Sequence, residues 1–289
     1  MNGLATELRI EHPVREALRM YLRNPAAVAG AVLLGLIVMV AVFGPMLYDA
    51  DPFAIMALPL SPPLSPETPL GTDYLGRDIL TELIYGGRAT LAVGATAALL
   101  SLLIGVTVGA LAGYFGGAVD EALTRVTEFF QVLPALLFAM VLVTLFSPTL
   151  PTIAFAIGMS TWTSTARLAR AEFLKLKQLE FVTAERAIGA GDMRIVWKVI
   201  LPNALPPLVV SGTLSVGAAI LFAAGLAFLG LGDPNTMSWG LMIGSSREYI
   251  LTSWWAVTFP GIVIFVTVLS VTLVGDGLSD ALNPKLRER

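Results

Sequence analysis

The side chains that could do chemistry are few and unevenly placed. The chain has one histidine, His12, and no cysteine, which excludes thiol catalysis, thiolate metal sites, structural disulfides and a His-rich metal cluster. Two carboxylate pairs, Glu185 with Asp192 and Asp276 with Asp280, have the residue types of a general acid and base. Each sits at a loop or helix end, however, where capping, ion pairing or contact with a partner uses the same groups. His12 reads as a solvated surface residue. No G-x-x-x-x-G-K-[ST] phosphate loop occurs, so the chain is not expected to hold ATP through that motif. Two polar stretches then remain as candidate sites: Gly71-Thr72-Asp73 with Gly76-Arg77-Asp78, and the run from Glu180 to Asn203.

The elements that must position these stretches are membrane helices. Hydrophobic residues make up 56% of the 289, charged residues only 13%, and the mean hydropathy is +0.78. That is more apolar surface than a soluble core of this size can bury, so an all-α, polytopic membrane protein is expected. The net charge of -3 points to no nucleic-acid partner. Residues 1–25 form a polar tail with Leu8, Val14, Leu18 and Leu22 at roughly helical spacing, an amphipathic helix for the membrane surface. Ala26–Leu47 is uncharged and long enough to span. It lacks the short apolar core and small-x-small site of a cleaved signal, and is read as an uncleaved first span.

Residues 49–87 carry Pro59, Pro62, Pro63, Pro66 and Pro69 and read as an irregular loop closing on a capping Asp and a short helix, Ile79–Tyr85. Five more apolar segments follow: Ala89–Phe115, Phe129–Phe146, the weaker Ser147–Ala166, Ala204–Leu231 and Leu251–Gly275. Six spans are therefore expected, in a core covering 88–278 and followed by a tail from 279. Glycines and alanines recur near four-residue spacing in the second span (Gly105, Gly109, Gly113) and again in the fifth (Gly212, Gly217, Ala223), where they allow close helix approach. None of the six segments holds an ionisable residue, which argues against an ion-coupled secondary transporter.

Lys and Arg counts orient the chain. With the amino terminus cytoplasmic, the inner segments hold Arg9, Arg15, Arg19, Arg23, Arg125, Arg167, Arg170, Lys175, Lys177, Arg186, Arg194, Lys198, Lys285, Arg287 and Arg289; the outer segments hold Arg77, Arg88 and Arg247. Both termini and the Glu180–Asn203 stretch are thus expected in the cytoplasm. Within that stretch, Leu179–Ile188 reads as one short helix, Gly189-Ala190-Gly191 as a break, and Asp192 as the N-cap of a second helix that Pro202 ends.

The order Ala184, Gly189, then Val199-x-Leu201-Pro202 resembles the cytoplasmic coupling loop of binding-protein-dependent ABC importer permeases, E-A-A-x-x-x-G-x9-I-x-L-P. Thr183 stands at the family's Glu, Glu185 at its second Ala and Val199 at its Ile, and Glu180 lies three residues upstream of the replaced acid. The Gly71–Asp78 block resembles the G-T-D-x-x-G-R-D of the oligopeptide and nickel branch. Arg23-Asn24-Pro25, Phe228–Pro234 with Ser238-Trp239-Gly240, and Gly275–Leu282 with Pro284 resemble further family signatures, with Ser279 and Asn283 replacing an Arg and an Asp.

The resemblance implies a type I ABC importer permease fold in a bacterial inner membrane, similar to the C-type permease of dipeptide and oligopeptide systems. It implies a paralogous permease partner, two ABC ATPase subunits carrying ATP and Mg, and an extracytoplasmic substrate-binding protein. The chain itself is expected to bind no cofactor or metal and to have no enzymatic activity. Glu180, Thr183, Ala184, Glu185, Gly189, Val199, Leu201 and Pro202 are the implied ATPase-coupling residues, and Lys177 lies outside that contact. Peptides are the implied cargo and nickel chelates the alternative; an ion-coupled transporter and a membrane scaffold are the rivals from other classes.

Overall fold

The computed structural model describes residues 13–282; the tail before Pro13, with His12, and the terminus from Asn283, with Pro284, lie outside them. Among the described residues every regular element is helical, and extended pairing is limited to two isolated bridges in the loop before α3. α1 (Pro13–Arg23) leads into α2 (Pro25–Leu47), whose start is fixed by Asn24: its side-chain oxygen accepts from the N–H groups of Ala26 and Ala27. The Asn24 amide also donates to Asp280 near the end of α11 (Trp255–Leu282), at 3.1 Å. One member of the Asp276–Asp280 pair is therefore a tether between the first and last long helices.

α3 (Ile79–Phe115) is a single 37-residue helix. The sequence reading had divided it into a short helix and a span from Ala89. Asp78 caps it, accepting from the Thr81 N–H at 2.9 Å, and Gly86 and Gly87 continue it. Glycine costs helix stability, yet here it makes room for Trp239, which would lie 3.0 and 3.1 Å from added Cβ atoms at the two positions. Glu82 and Arg88 consequently lie within the helix near its amino-terminal end. Pro45 in α2 supplies no N–H to the carbonyl of Ala41, and Arg88 Nε donates to that oxygen at 2.9 Å.

α3 runs parallel to α6 (Leu150–Leu176), with Gly105, Gly109 and Gly113 set against Thr165, Ala169 and Phe173. α9 (Leu201–Leu226) runs back against α3, with Gly94 facing Ile220. Between α3 and α6 lie α4 (Gly117–Val132) and α5 (Ala135–Phe146), bent by 86°. The sequence predicts one span over Phe129–Phe146, with Gln131 and Pro134 as its irregularities. The bend falls at Leu133-Pro134, because a residue before proline is pushed out of the helical region, and Leu133 is extended at φ −72°, ψ 127°. Arg170 of α6 holds α4 through a two-pronged pair with Asp120, at 2.5 and 2.7 Å.

Among the described residues, four helical stretches are long and apolar enough to cross a membrane, or five with the bent pair taken as one; the expected count of six exceeds both. The difference lies in α6, which is long enough but is made less apolar by Ser160, Thr161, Thr163, Ser164 and Thr165, with Arg167, Arg170, Glu172 and Lys175 beyond them. Its glycine-lined contact with α3 reduces the surface that must be apolar. These contacts sort the connections into two ends. One end gathers α1, the Gly116-Gly117 turn, the segment after Leu176 and the end of α11. The other gathers the 48–78 loop, the start of α6, where the Leu150 N–H donates to Asp233, and Trp239 of α10 (Trp239–Ser246).

Candidate coupling site

At the first end, α7 (Glu180–Ala187) lies across the bundle on one apolar anchor. Val182 is fully buried, in a cluster with Tyr114, Phe173 and Ile195, while Thr183, Ala184, Ala187 and Ile188 are exposed, Ile188 by 76%. Gly189 terminates the helix at φ +86°: its N–H bonds to the Arg186 carbonyl and the Ala190 N–H to the Glu185 carbonyl, both at 3.0 Å. That paired arrangement needs the left-handed backbone glycine adopts most readily. Of the residues expected to couple, Glu180, Thr183, Ala184, Gly189 and Pro202 are exposed; Glu185, Val199 and Leu201 are half-buried, and the last two pack against the core.

Beyond the glycines the structure departs from the sequence reading in two ways. Gly191, not Asp192, is the N-cap; α8 (Asp192–Arg194) begins with Asp192, whose carboxylate accepts from the Tyr114 hydroxyl at 2.6 Å. Nor does Pro202 end this helix. A wider π-helical turn, Ile195–Ile200, carries the chain into α9, and helical structure continues until Gly230 turns to φ +86°. In the wide turn the Leu201 N–H reaches back to Val196, and Pro202, in the first turn of α9, is at a position where a missing N–H is tolerated. The stretch is therefore one short helix followed by the amino-terminal end of a 40-residue one. Met193 and Trp197, one turn apart, are exposed apolar residues of this segment, as Ile188 is of the one before it.

Tyr114, at the last turn of α3, is the residue that local sequence reasoning missed. Its carbonyl accepts from Lys177 Nζ, and its ring has the Lys177 ammonium 5.5 Å and the Arg186 guanidinium 5.6 Å from its centroid, within cation–π range. Lys177 thus ties the segment after α6 to the end of α3. A cleft of about 850 Å³ opens nearby between α6, α9 and α11, lined by Glu172, Phe181, Asn203, Pro206, Ser211 and Ser215 among others.

The second candidate site is at the opposite end and is built into the interior. Thr72, Asp73 and Asp78 are nearly or fully buried, and Gly71 and Gly76 adopt φ +82° and +86°. Thr72 Oγ1 accepts from the Ser61 N–H and donates to the Leu58 carbonyl, both at 2.8 Å; Asp73 accepts from the Leu75 and Arg77 N–H groups at 2.8 Å. Burial raises the Asp73 carboxyl above its usual range, while these N–H groups and the Arg77 charge pull the other way. Arg77 lies over the Phe53 ring. The block folds the 48–78 loop onto the start of α3.

Comparison with known proteins follows the same lines. Residues 105–288 match the family described as binding-protein-dependent transport system inner membrane component, and residues 12–73 match the N-terminal TM domain of oligopeptide transport permease C. The di/tripeptide transport system permease protein DppC of Pseudomonas aeruginosa is 39% identical over 95% of this chain and 93% of its own length. The dipeptide permease DppC of Bacillus subtilis is 40% identical over 94% and 86%, and the oligopeptide permease OppC of that organism 36% over 95% and 90%. In fold the chain is similar to a chain of the MetNI methionine ABC transporter solved in inward-facing conformations, with a TM-score of 0.60 at 20% identity, covering 71% of this chain and 98% of that one. A family model that spans most of the helical core, and named permeases matched nearly end to end, settle the kinship: this chain belongs to the binding-protein-dependent transport system inner membrane components.

Proposed function

We propose that the chain is the C-type permease subunit of an ATP-driven importer of di- and oligopeptides, and that α7 with the Gly189 turn docks an ATPase subunit. The observation that carries this reading is α7 itself: Val182 is its one buried residue, Thr183, Ala184 and Ala187 present small uncharged side chains between exposed Glu180 and Arg186, and Ile188, Met193 and Trp197 are exposed in the segment that follows. An apolar surface of this kind at the polar end of a membrane bundle fits a partner protein. ATP and Mg belong to two ATPase subunits, a paralogous permease supplies the other half of the path, and a binding protein delivers cargo at the opposite end. The names of the relatives favour peptides over nickel chelates.

Co-expressed with candidate ATPases and a second permease, the chain should co-purify with them, and the complex in liposomes should take up dipeptide only with ATP and binding protein. The chain purified alone should show no ATP turnover above background. Clear ATP turnover by the lone chain would overturn the assignment, as would co-expression in which none of these subunits co-purifies with it.

The bundle is proposed to make six crossings, with the bent pair and α6 each counted as one and the α7 end in the cytoplasm. Arg186, Arg194 and Lys198 at that end favour this orientation. A reporter active only outside the cytoplasm should be active when fused near residue 60 and silent near 190; activity at 190 would reverse the orientation.

A further inference from the structure

We propose that Tyr114 is a positioning residue for coupling: its hydroxyl, held by Asp192, sets the angle between α7 and α8 and so determines how much of an ATPase movement reaches α3. The inference rests on the coupling function proposed above. Three segments far apart in sequence converge on this one side chain. Lys177, just after α6, donates to its carbonyl; Arg186 of α7 packs over its ring; Asp192 of α8 accepts from its hydroxyl at 2.6 Å.

The arms it joins have little else to fix their angle. They meet through Gly189-Ala190-Gly191, and a Cβ added at either glycine would find nothing within 4 Å. Val182 is the one buried residue of α7, Arg186 adds its contact with the Tyr114 ring, and among the described residues the Asp192 side chain makes its hydrogen bond to Tyr114. Tyr114 itself is 2% exposed and fixed on α3, which is packed against α6 at Gly105, Gly109 and Gly113. Displacement of α7 therefore has a stiff route into the α3–α6 pair through Tyr114. The alternative route passes through the π-helical turn and Pro202, where the helical hydrogen-bond ladder is altered.

The experiment measures ATP hydrolysed and peptide imported in the same proteoliposomes, with the complete complex. Tyr114→Phe removes the hydroxyl and keeps the ring for Arg186 and Lys177. Peptide imported per ATP should fall about tenfold or more, the change that loss of one hydrogen bond to a charged group brings, while subunit association and ATP turnover stay near parental. Asp192→Ala removes the bond from the exposed side and should give the same fall. The double variant should be no worse than either single one, as expected when two changes delete one interaction. Asp192→Asn, which keeps an acceptor oxygen, should restore part of the ratio. An unchanged ratio in both single variants would overturn the proposal, as would equal loss of ATP turnover and transport, the mark of a merely structural role. Failure of the parental complex to assemble would instead overturn the coupling function on which it rests.

Discussion

Ala184→Glu is expected to abolish uptake while leaving the protein inserted at its normal level, and Gly189→Asp to do the same. The structure makes this a test of a partner contact rather than of folding. Ala184 is exposed on α7 and makes no part of the buried cluster that holds the helix, so a glutamate there is solvated in the isolated chain. In a close-packed docking groove the same carboxylate loses its water with no counter-charge supplied. A single unpaired buried charge costs about 3 kcal/mol or more, enough to weaken association by a factor of about 100. At Gly189 an added side chain meets nothing within 4 Å; the cost is confined to φ +86° and amounts to about 1 kcal/mol, with a charge placed where the two arms join. Glu121→Gln is the fitting control, since Glu121 pairs with Arg125 in an exposed i,i+4 contact on α4, worth little. Co-purification of the ATPase and uptake by intact cells are the measurements. Parental transport by both loop variants would reduce α7 to an interfacial linker.

What could be read beforehand was whatever the chain encodes locally. Gly189 was legible because a glycine after a run of helix formers is the usual left-handed terminator, and φ +86° agrees. The small residues of α3 were legible as a packing stripe, although not which helix would fill it. Three features escaped for the same physical reason: a distant contact overrode a local rule. Gly86-Gly87 reads as a break but accommodates Trp239. Asp192 has the type of an N-cap, yet Gly191 takes the extended position and the carboxylate is used by a tyrosine 78 residues away. Pro202 reads as a stop, but the π-helical turn before it shifts the hydrogen-bond register so that the helix continues. The bend at Leu133-Pro134 was masked by the apolar run around it. The turns of the Gly71–Asp78 block were legible, because two glycines ahead of a capping aspartate describe them; that Thr72 and Asp73 would be enclosed was not.

Gly109→Val combined with Gly105→Val is expected to remove the protein from the membrane altogether, the opposite signature to Ala184→Glu. The argument is steric. A Cβ at Gly105 would lie 2.5 Å from Thr165 Cβ and 2.8 Å from the Trp162 carbonyl oxygen; one at Gly109 would lie 2.7 Å from Ala169 Cβ and 2.8 Å from the Arg170 nitrogen. These are backbone and Cβ atoms, which no rotamer change can move aside, so α3 and α6 must separate. Overpacking of this kind costs about 1–3 kcal/mol per site. Two adjacent sites on one interface then approach the whole stability of a typical domain, about 5–15 kcal/mol. Separation would also pull Tyr114 and Phe173 apart, opening the cluster that anchors Val182 of α7. Gly35→Ala is the matched control: Gly35 lies in α2, with nothing within 4 Å of an added Cβ, and alanine there should be neutral or slightly stabilising. Membrane-fraction abundance and thermal unfolding in detergent check the prediction. If the double valine variant accumulates and melts like the parent, the parallel α3–α6 contact is not the frame on which the coupling segment rests.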